Sequence, residues 1–299
     1  MNMMNGDRQQ VFADERLDRL FDYDGYLVVN LLEEAEVDEL LALYNSVDSK
    51  VPLGYYTSLW SPDEEYRYKV NREIIRVVEQ KAKALFVDHS PLFADFIVKR
   101  TGEFSGVGIH QDWMLVEEPK YTSFFVWCPL VDVGDTNGAM EMVKRSHLFD
   151  FRPRGANITL PCHIPPLSEH IVKNFLTPVY LKKGQAFIFN HNVIHRSKPN
   201  LSDKDRPVAA TVMVHDKADI FHYHWKQGND MIEKIKVPRD FYLNYNYYKD
   251  FVEKLETQDI TRPPGGEVVE LIPHKFVPIS NDDFDTLYYK YNPIAETIV

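Results

Sequence analysis

Cysteine is scarce: Cys128 and Cys162 are the only two among 299 residues. That excludes a disulfide-stapled scaffold and a metal site built from thiolates, both of which need more sulfur. Basic charge is also short, with 34 Lys and Arg against 45 Asp and Glu and a formal net charge of -11. An acidic surface repels phosphate backbones and anionic membrane faces, so nucleic acid and membrane are both unexpected partners. An anionic small molecule stays open, because a buried arginine acts locally against the global field. No apolar run approaches bilayer length, and the start MNMMNGDRQQ has no apolar stretch behind a basic region. The expectation is a soluble, cytoplasmic protein. Gly-x-Ser-x-Gly, Gly-x-Gly-x-x-Gly and the P-loop pattern are all missing, which removes three common nucleophile and phosphate-binding devices.

Apolar residues, in contrast, make up 44% of the chain, enough for a sizeable core in one domain spanning 1–299. Residues 1–90 read as mainly helical. Leu17, Leu20 and Phe21 share a face; Val37, Leu40, Leu41 and Tyr44 repeat at helical spacing; Ile74, Ile75, Val78, Ala82 and Leu85 predict a third helix starting near Asn71. From 91 to 215 the texture changes to short β-rich runs separated by turn signals such as Asp135-Thr136-Asn137-Gly138 and Lys183-Gly184. Many short strands without helices between them predict a sandwich or barrel. Phe151–Phe175, rich in Pro and Asn, predicts a long excursion. Residues 216–299 predict a helix from Pro238 to about Leu255 and, after Pro263-Pro264-Gly265-Gly266, a mixed tail.

The chemistry concentrates at Gly108-Ile109-His110-Gln111-Asp112-Trp113. On a strand, i and i+2 project from one face, so the imidazole of His110 and the carboxylate of Asp112 can converge on one point. A His-x-Asp tripeptide alone is a weak signal. A distant second histidine, His195, follows the strand-like Ala186–Phe189 and precedes another run, Val208–Val214. Two imidazoles and one carboxylate leave half of an octahedral metal open, which suits Fe(II) binding a chelating cosubstrate and O2. A closed zinc site would need a fourth protein ligand. Arg206 begins the next strand, eleven residues after His195. In an antiparallel pair it returns past the first strand, where a guanidinium can grip the far carboxylate of a dicarboxylate.

His110-Gln111-Asp112, the run Asn137 to His147, and His195-x-Ser197-x-x-Asn200-x-Ser202-x-x-x-Arg206 together resemble the phytanoyl-CoA dioxygenase (PhyH) family. The start Phe21 to Val29 is similar to that family as well, and the resemblance spans roughly residues 15 to 215. It implies a mainly β fold with flanking helices around a double-stranded β-helix (jelly-roll, cupin-like) core. It further implies Fe(II) held by His110, Asp112 and His195, with 2-oxoglutarate and O2 as cosubstrates and Arg206 on the distal carboxylate. Ser197 and Trp127 correspond to positions beside the cosubstrate. The implied activity is hydroxylation of a small organic molecule or metabolite, free or carrier-bound, with release of succinate and CO2. Related halogenases carry a small residue where Asp112 stands, so this carboxylate argues against halogenation.

Competing readings are plainer. Tyr55, Tyr56 and Trp60 either line the substrate mouth or simply pack. His191, His222 and His224 are further imidazoles, but the motif places the ligand at His195; His147 is expected to buttress a loop, and Glu117-Glu118 to be solvated. A cupin-like isomerase or lyase using another divalent metal would have no need of a cosubstrate clamp at Arg206. A catalytically silent binding module would have little reason to keep the triad. Neither the substrate nor the oligomeric state is written in these motifs.

Overall fold

The structure is a computed structural model and describes residues 9–47, 54–118, 120–149, 152–155, 164–225, 229–245, 265–274 and 279–293. Helix α1 (Glu15–Asp24) starts on Asp14, whose carboxylate accepts from the Arg16 and Leu17 amides. It stops at Gly25, at φ 81. Glycine is required there twice over, because a Cβ would lie 2.3 Å from the His147 ring. The strands follow as β1 (Tyr26–Asn30), β2 (Tyr55–Thr57), β3 (His89–Lys99), β4 (Val107–His110), β5 (Ser123–Pro129) and β6 (Met140–Val143). After them come β7 (Leu176–Val179), β8 (Gln185–Asn190), β9 (His195–Ser197), β10 (Arg206–His215), β11 (Ile220–Trp225), β12 (Met231–Val237) and β13 (Glu267–Pro273). The other helices are α2 (Glu34–Ser46), α3 (Glu64–Leu85), α4 (Ser168–Asn174), α5 (Phe241–Asn244) and α6 (Asn281–Tyr291).

Two antiparallel sheets make the jelly roll, one ordered β1-β8-β5-β10-β3-β2 and one ordered β4-β9-β6-β7. Strand alternation gives each sheet two uses. Along β3, Ala94, Phe96 and Val98 join the core under α3, with Val70, Ile74 and Val78. Ile97, on the other face, packs inward with Trp127, Phe187, Phe189, Val208 and Ala210 of the large sheet and with Met140 and Met142 of the small one. The inter-sheet core and the cavity at its end therefore share one set of side chains. Among the described residues no helix is long and apolar enough to cross a membrane.

Three expectations change. α3 begins at Glu64, capped by Asp63, seven residues before Asn71. The Asn71 side chain instead accepts from the Ala94 amide and ties the helix to β3. Residues 1–90 also supply β1 and β2 to the large sheet. After 215, a sheet ordered β11-β12-β13 stands where only a helix and tail were expected. α5 covers Phe241–Asn244 of the predicted Pro238–Leu255 helix, and residues 246–264 lie outside the described residues. Cys128 is free and buried, its thiol pushed up to about 12 by burial, which leaves it inert. Cys162 lies outside the described residues.

Candidate metal centre and anion pocket

His110 ends β4 and His195 opens β9, and the two are direct cross-strand partners. Between this pair and the pair Val107↔Ser197 the register shifts, with one extra residue on β4. A bulge of this kind bends the strand and re-aims the side chain at its end. The two imidazoles lie with ring centroids 4.2 Å apart. Asp112 follows in the loop, its amide donating to the His191 carbonyl at 2.9 Å. Its carboxylate reaches both rings, Oδ1 at 3.7 Å from His110 Nε2 and Oδ2 at 3.7 Å from His195 Nε2. One donor atom from each of the three residues falls within 4.8 Å of the other two.

The donor chemistry fits a divalent cation. His110 Nδ1 faces the Gly108 carbonyl at 2.8 Å and His195 Nδ1 the Val193 carbonyl at 2.9 Å. A ring that donates from Nδ1 presents an Nε2 lone pair to the centre. Burial, and then the neighbouring His110, push the His195 pKa well below its usual value, which keeps that lone pair available. Asp112 Oδ2 is buried and has no hydrogen-bond partner. A buried carboxylate oxygen without a donor is costly unless a cation completes it. Two nitrogens and one oxygen on one side leave room opposite for further ligands.

Arg154 fixes the Asp112 loop. Its Nε donates to the Asp112 carbonyl at 2.9 Å, and its own carbonyl accepts from the Met114 amide at 3.0 Å. Its Nη2 bridges both oxygens of Glu118 at 3.0 and 2.9 Å. Glu118, expected to be solvated, has a side chain only 5% exposed, and burial raises its pKa while Arg154 opposes that shift. Arg154→Ala is expected to lower divalent-metal affinity by about 10- to 100-fold while the sheets stay folded. Titration with Mn(II), monitored by protein relaxation enhancement, measures this.

Arg206, at the start of β10, is 1% exposed. Its Nη1 donates to the Gly138 carbonyl at 3.2 Å, its Cζ sits 4.8 Å from the Trp127 ring centroid, and Nε is buried without a partner. Burial pushes its pKa down to about 9. The metal candidates and Arg206 line one cavity, shared with Tyr55, Trp127 and Ser197. A cation at one end and a guanidinium at the other suit a small molecule carrying a chelating head and a carboxylate tail.

Of the three aromatic residues expected at the mouth, the structure brings one to the cavity. Tyr55 lines it, and burial followed by the charges of Asp95 and Asp112 raises its pKa. Tyr56, one residue on, faces the opposite way into the core under α3 and is 1% exposed. Trp60 packs edge-on against Tyr55 at 5.8 Å between centroids. His191 stays outside the metal group, with Nδ1 2.9 Å from the Ser123 hydroxyl and its pKa pushed down to about 4 by burial. His147 Nε2 donates to the Asp22 carbonyl at 3.0 Å, the buttress expected of it. Arg154, Lys99 and Asp95 were not anticipated. Asp95 accepts from the Thr57 hydroxyl, and burial raises its pKa to about 7.

The model of the family described as "Phytanoyl-CoA dioxygenase (PhyH)" matches residues 21–208. Phytanoyl-CoA dioxygenase 1 of Oryza sativa subsp. japonica is 27% identical over 152 residues, 50% of this chain and 51% of that protein. The chain thus spans about half the length of this curated relative. Among solved structures, the non-heme alpha-ketoglutarate-dependent carbocyclase SnoK from nogalamycin biosynthesis is similar with a TM-score of 0.51 and 18% identity, over 68% of this chain and 84% of its own. The epimerase SnoN, in complex with Fe3+, alpha-ketoglutarate and nogalamycin RO, gives 0.50 and 18%, over 90% of this chain and 96% of its own. These likenesses establish the fold.

Proposed function

Because the chain belongs to the phytanoyl-CoA dioxygenase family, we propose that it is an Fe(II)- and 2-oxoglutarate-dependent dioxygenase that hydroxylates a small organic molecule. We take it as one oxygenase domain, working in the cytoplasm on a free or carrier-bound substrate. The single observation that carries this is the pairing, in one cavity, of a His-Asp-His cluster with a buried guanidinium that no carboxylate among the described residues neutralises.

His110, Asp112 and His195 would hold the iron through Nε2, a carboxylate oxygen and Nε2. Arg206 would take the distal carboxylate of 2-oxoglutarate, with the Ser197 hydroxyl beside it and the Trp127 ring as the wall under the guanidinium. When bound, iron, 2-oxoglutarate and O2 supply the oxidising step, in which cosubstrate is cleaved to succinate and CO2 and a substrate C–H becomes C–OH. The chain's own residues do the rest. Asp112 offsets positive charge at the metal, Arg206 and Ser197 fix the cosubstrate's direction, and the apolar walls Ile97, Phe125 and Phe189 exclude water. Tyr55 is the side chain we assign to the substrate side.

Succinate release tests this. It is expected to require both Fe(II) and 2-oxoglutarate and to rise several-fold when the correct molecule is present in a panel of small organic compounds and their thioesters. Succinate formed equally without iron would refute the assignment.

A further inference from the structure

Alternation along β3 puts Lys99 on the inner face with Ile97, and register makes it the direct cross-strand partner of Arg206. It is 0% exposed. Its Nζ donates to the carbonyls of Ser105 at 2.5 Å, Lys198 at 2.7 Å and Ser197 at 3.3 Å. Three acceptors match the three protons of an ammonium, whereas a neutral amine would leave one carbonyl without a donor. Gly138 serves both cations. Its carbonyl takes Arg206 Nη1, and at φ 88 its Cα lies so close that a Cβ would stand 2.7 Å from Lys99 Cδ.

Two like charges directly opposite each other in a barrel interior are unfavourable. Among the described residues no carboxylate pairs with either. The groups facing Lys99 are Arg206 from β10 and Tyr55 from β2, whose ring centroid lies 5.8 Å from Nζ. The 3-10 turn Glu103–Ser105 and β9 with the residue after it present carbonyls. The Lys198 amine turns away to Asp135 and Glu141.

We propose that Lys99 is the second cation of this anion pocket, an ammonium caged by three carbonyls that seats Ser197 and Arg206 for a dicarboxylate. This rests on the reading of Arg206 as the cosubstrate clamp and extends it to a positioning residue that does not touch the ligand. Burial and the adjacent Arg206 push the Lys99 pKa down to about 6. The free site therefore sheds this charge as pH rises through 6, and a bound dianion restores it with uptake of one proton. Dianion affinity should then fall as pH rises, by about tenfold between pH 6.0 and 7.5.

The test is 2-oxoglutarate binding to the full chain, followed by tryptophan quenching (Trp127 lies under the guanidinium), with and without Mn(II). Lys99→Met is expected to weaken 2-oxoglutarate about tenfold at pH 6.0, to flatten the pH dependence, and to leave Mn(II) affinity within twofold. The histidines are common to both proteins, so the difference between the two pH profiles isolates Lys99. Lys99→Gln keeps donors for the carbonyls without the charge and should behave like Lys99→Met; it also serves if the methionine variant does not fold. Equal 2-oxoglutarate binding by variant and wild type, or parallel loss of Mn(II) and 2-oxoglutarate, would overturn the role of Lys99 while leaving the oxygenase assignment standing. No 2-oxoglutarate binding by the wild type would overturn both.

Discussion

Asp112→Ala is expected to lower divalent-metal affinity by about three orders of magnitude or more, about 4 kcal/mol, and to abolish turnover. Asp112 is the sole anion among the three candidate ligands. Two neutral imidazoles alone would leave a dication in a largely apolar cavity without charge compensation. The expected effect on the metal-free fold is the opposite of a typical core deletion. Oδ2 is buried and accepts no hydrogen bond, and the loop is held through the Asp112 backbone by His191 and Arg154. Removing the side chain therefore removes an uncompensated oxygen and breaks no described hydrogen bond. The melting temperature of the metal-free variant should equal or exceed that of wild type, while stabilisation by added Mn(II) disappears. A variant that melts early yet still binds metal would show Asp112 to be a structural group.

Arg206→Met separates the two ends of the pocket. Truncating one partner of a buried charge pair costs about 2–5 kcal/mol, so 2-oxoglutarate should bind about 30-fold more weakly or worse, with metal affinity unchanged. Methionine fills much of the same volume against Trp127 and carries no charge. Because Arg206 is fully buried with its Nε unpaired, the ligand-free variant should lose little stability. Arg206→Lys should recover only part of the affinity, since an ammonium cannot form the two-pronged contact. Isothermal titration with 2-oxoglutarate in the presence of Mn(II) reads both results. Unaltered binding in Arg206→Met would place the distal carboxylate elsewhere.

The metal candidates were legible from their spacing, but not for the reason strand periodicity gives: β4 ends at His110, and Asp112 reaches the centre from the loop beyond it. The backbone contacts of Asp112 to His191 and Arg154, which no local pattern shows, turn its carboxylate towards the two imidazoles. Arg206 was legible from the return of an antiparallel strand. Tyr55 and Tyr56 show the same rule applied too loosely. Adjacent strand residues face opposite ways, so only one of them can reach the cavity, and Tyr56 lies in the core under α3. Lys99 left a usable signal, since Asp95, Ile97 and Lys99 share the β3 face that β10 carries inward as Arg206. Charged residues four apart on one face of an otherwise apolar strand mark a polar interior. Arg154 left none. Its partner Glu118 is 36 residues away, and no local pattern couples them. The strands after residue 215 were missed for a different reason. Phe221–Trp225 alternates aromatic residues with histidines, which reads as a half-solvated pattern, yet all six residues of β11 are buried, and its His-Tyr-His centre does not read as core.

The central claim is that one metal and one dicarboxylate meet between the His-Asp-His cluster and Arg206. Anaerobic addition of Fe(II) and 2-oxoglutarate to the full chain tests it most directly, through the weak visible charge-transfer band of a chelated 2-oxo acid. The account predicts a saturable band that needs both additions, disappears in Asp112→Ala, and shifts to much higher 2-oxoglutarate concentration in Arg206→Met. No band at saturating concentrations, or one of equal intensity in Asp112→Ala, would contradict it.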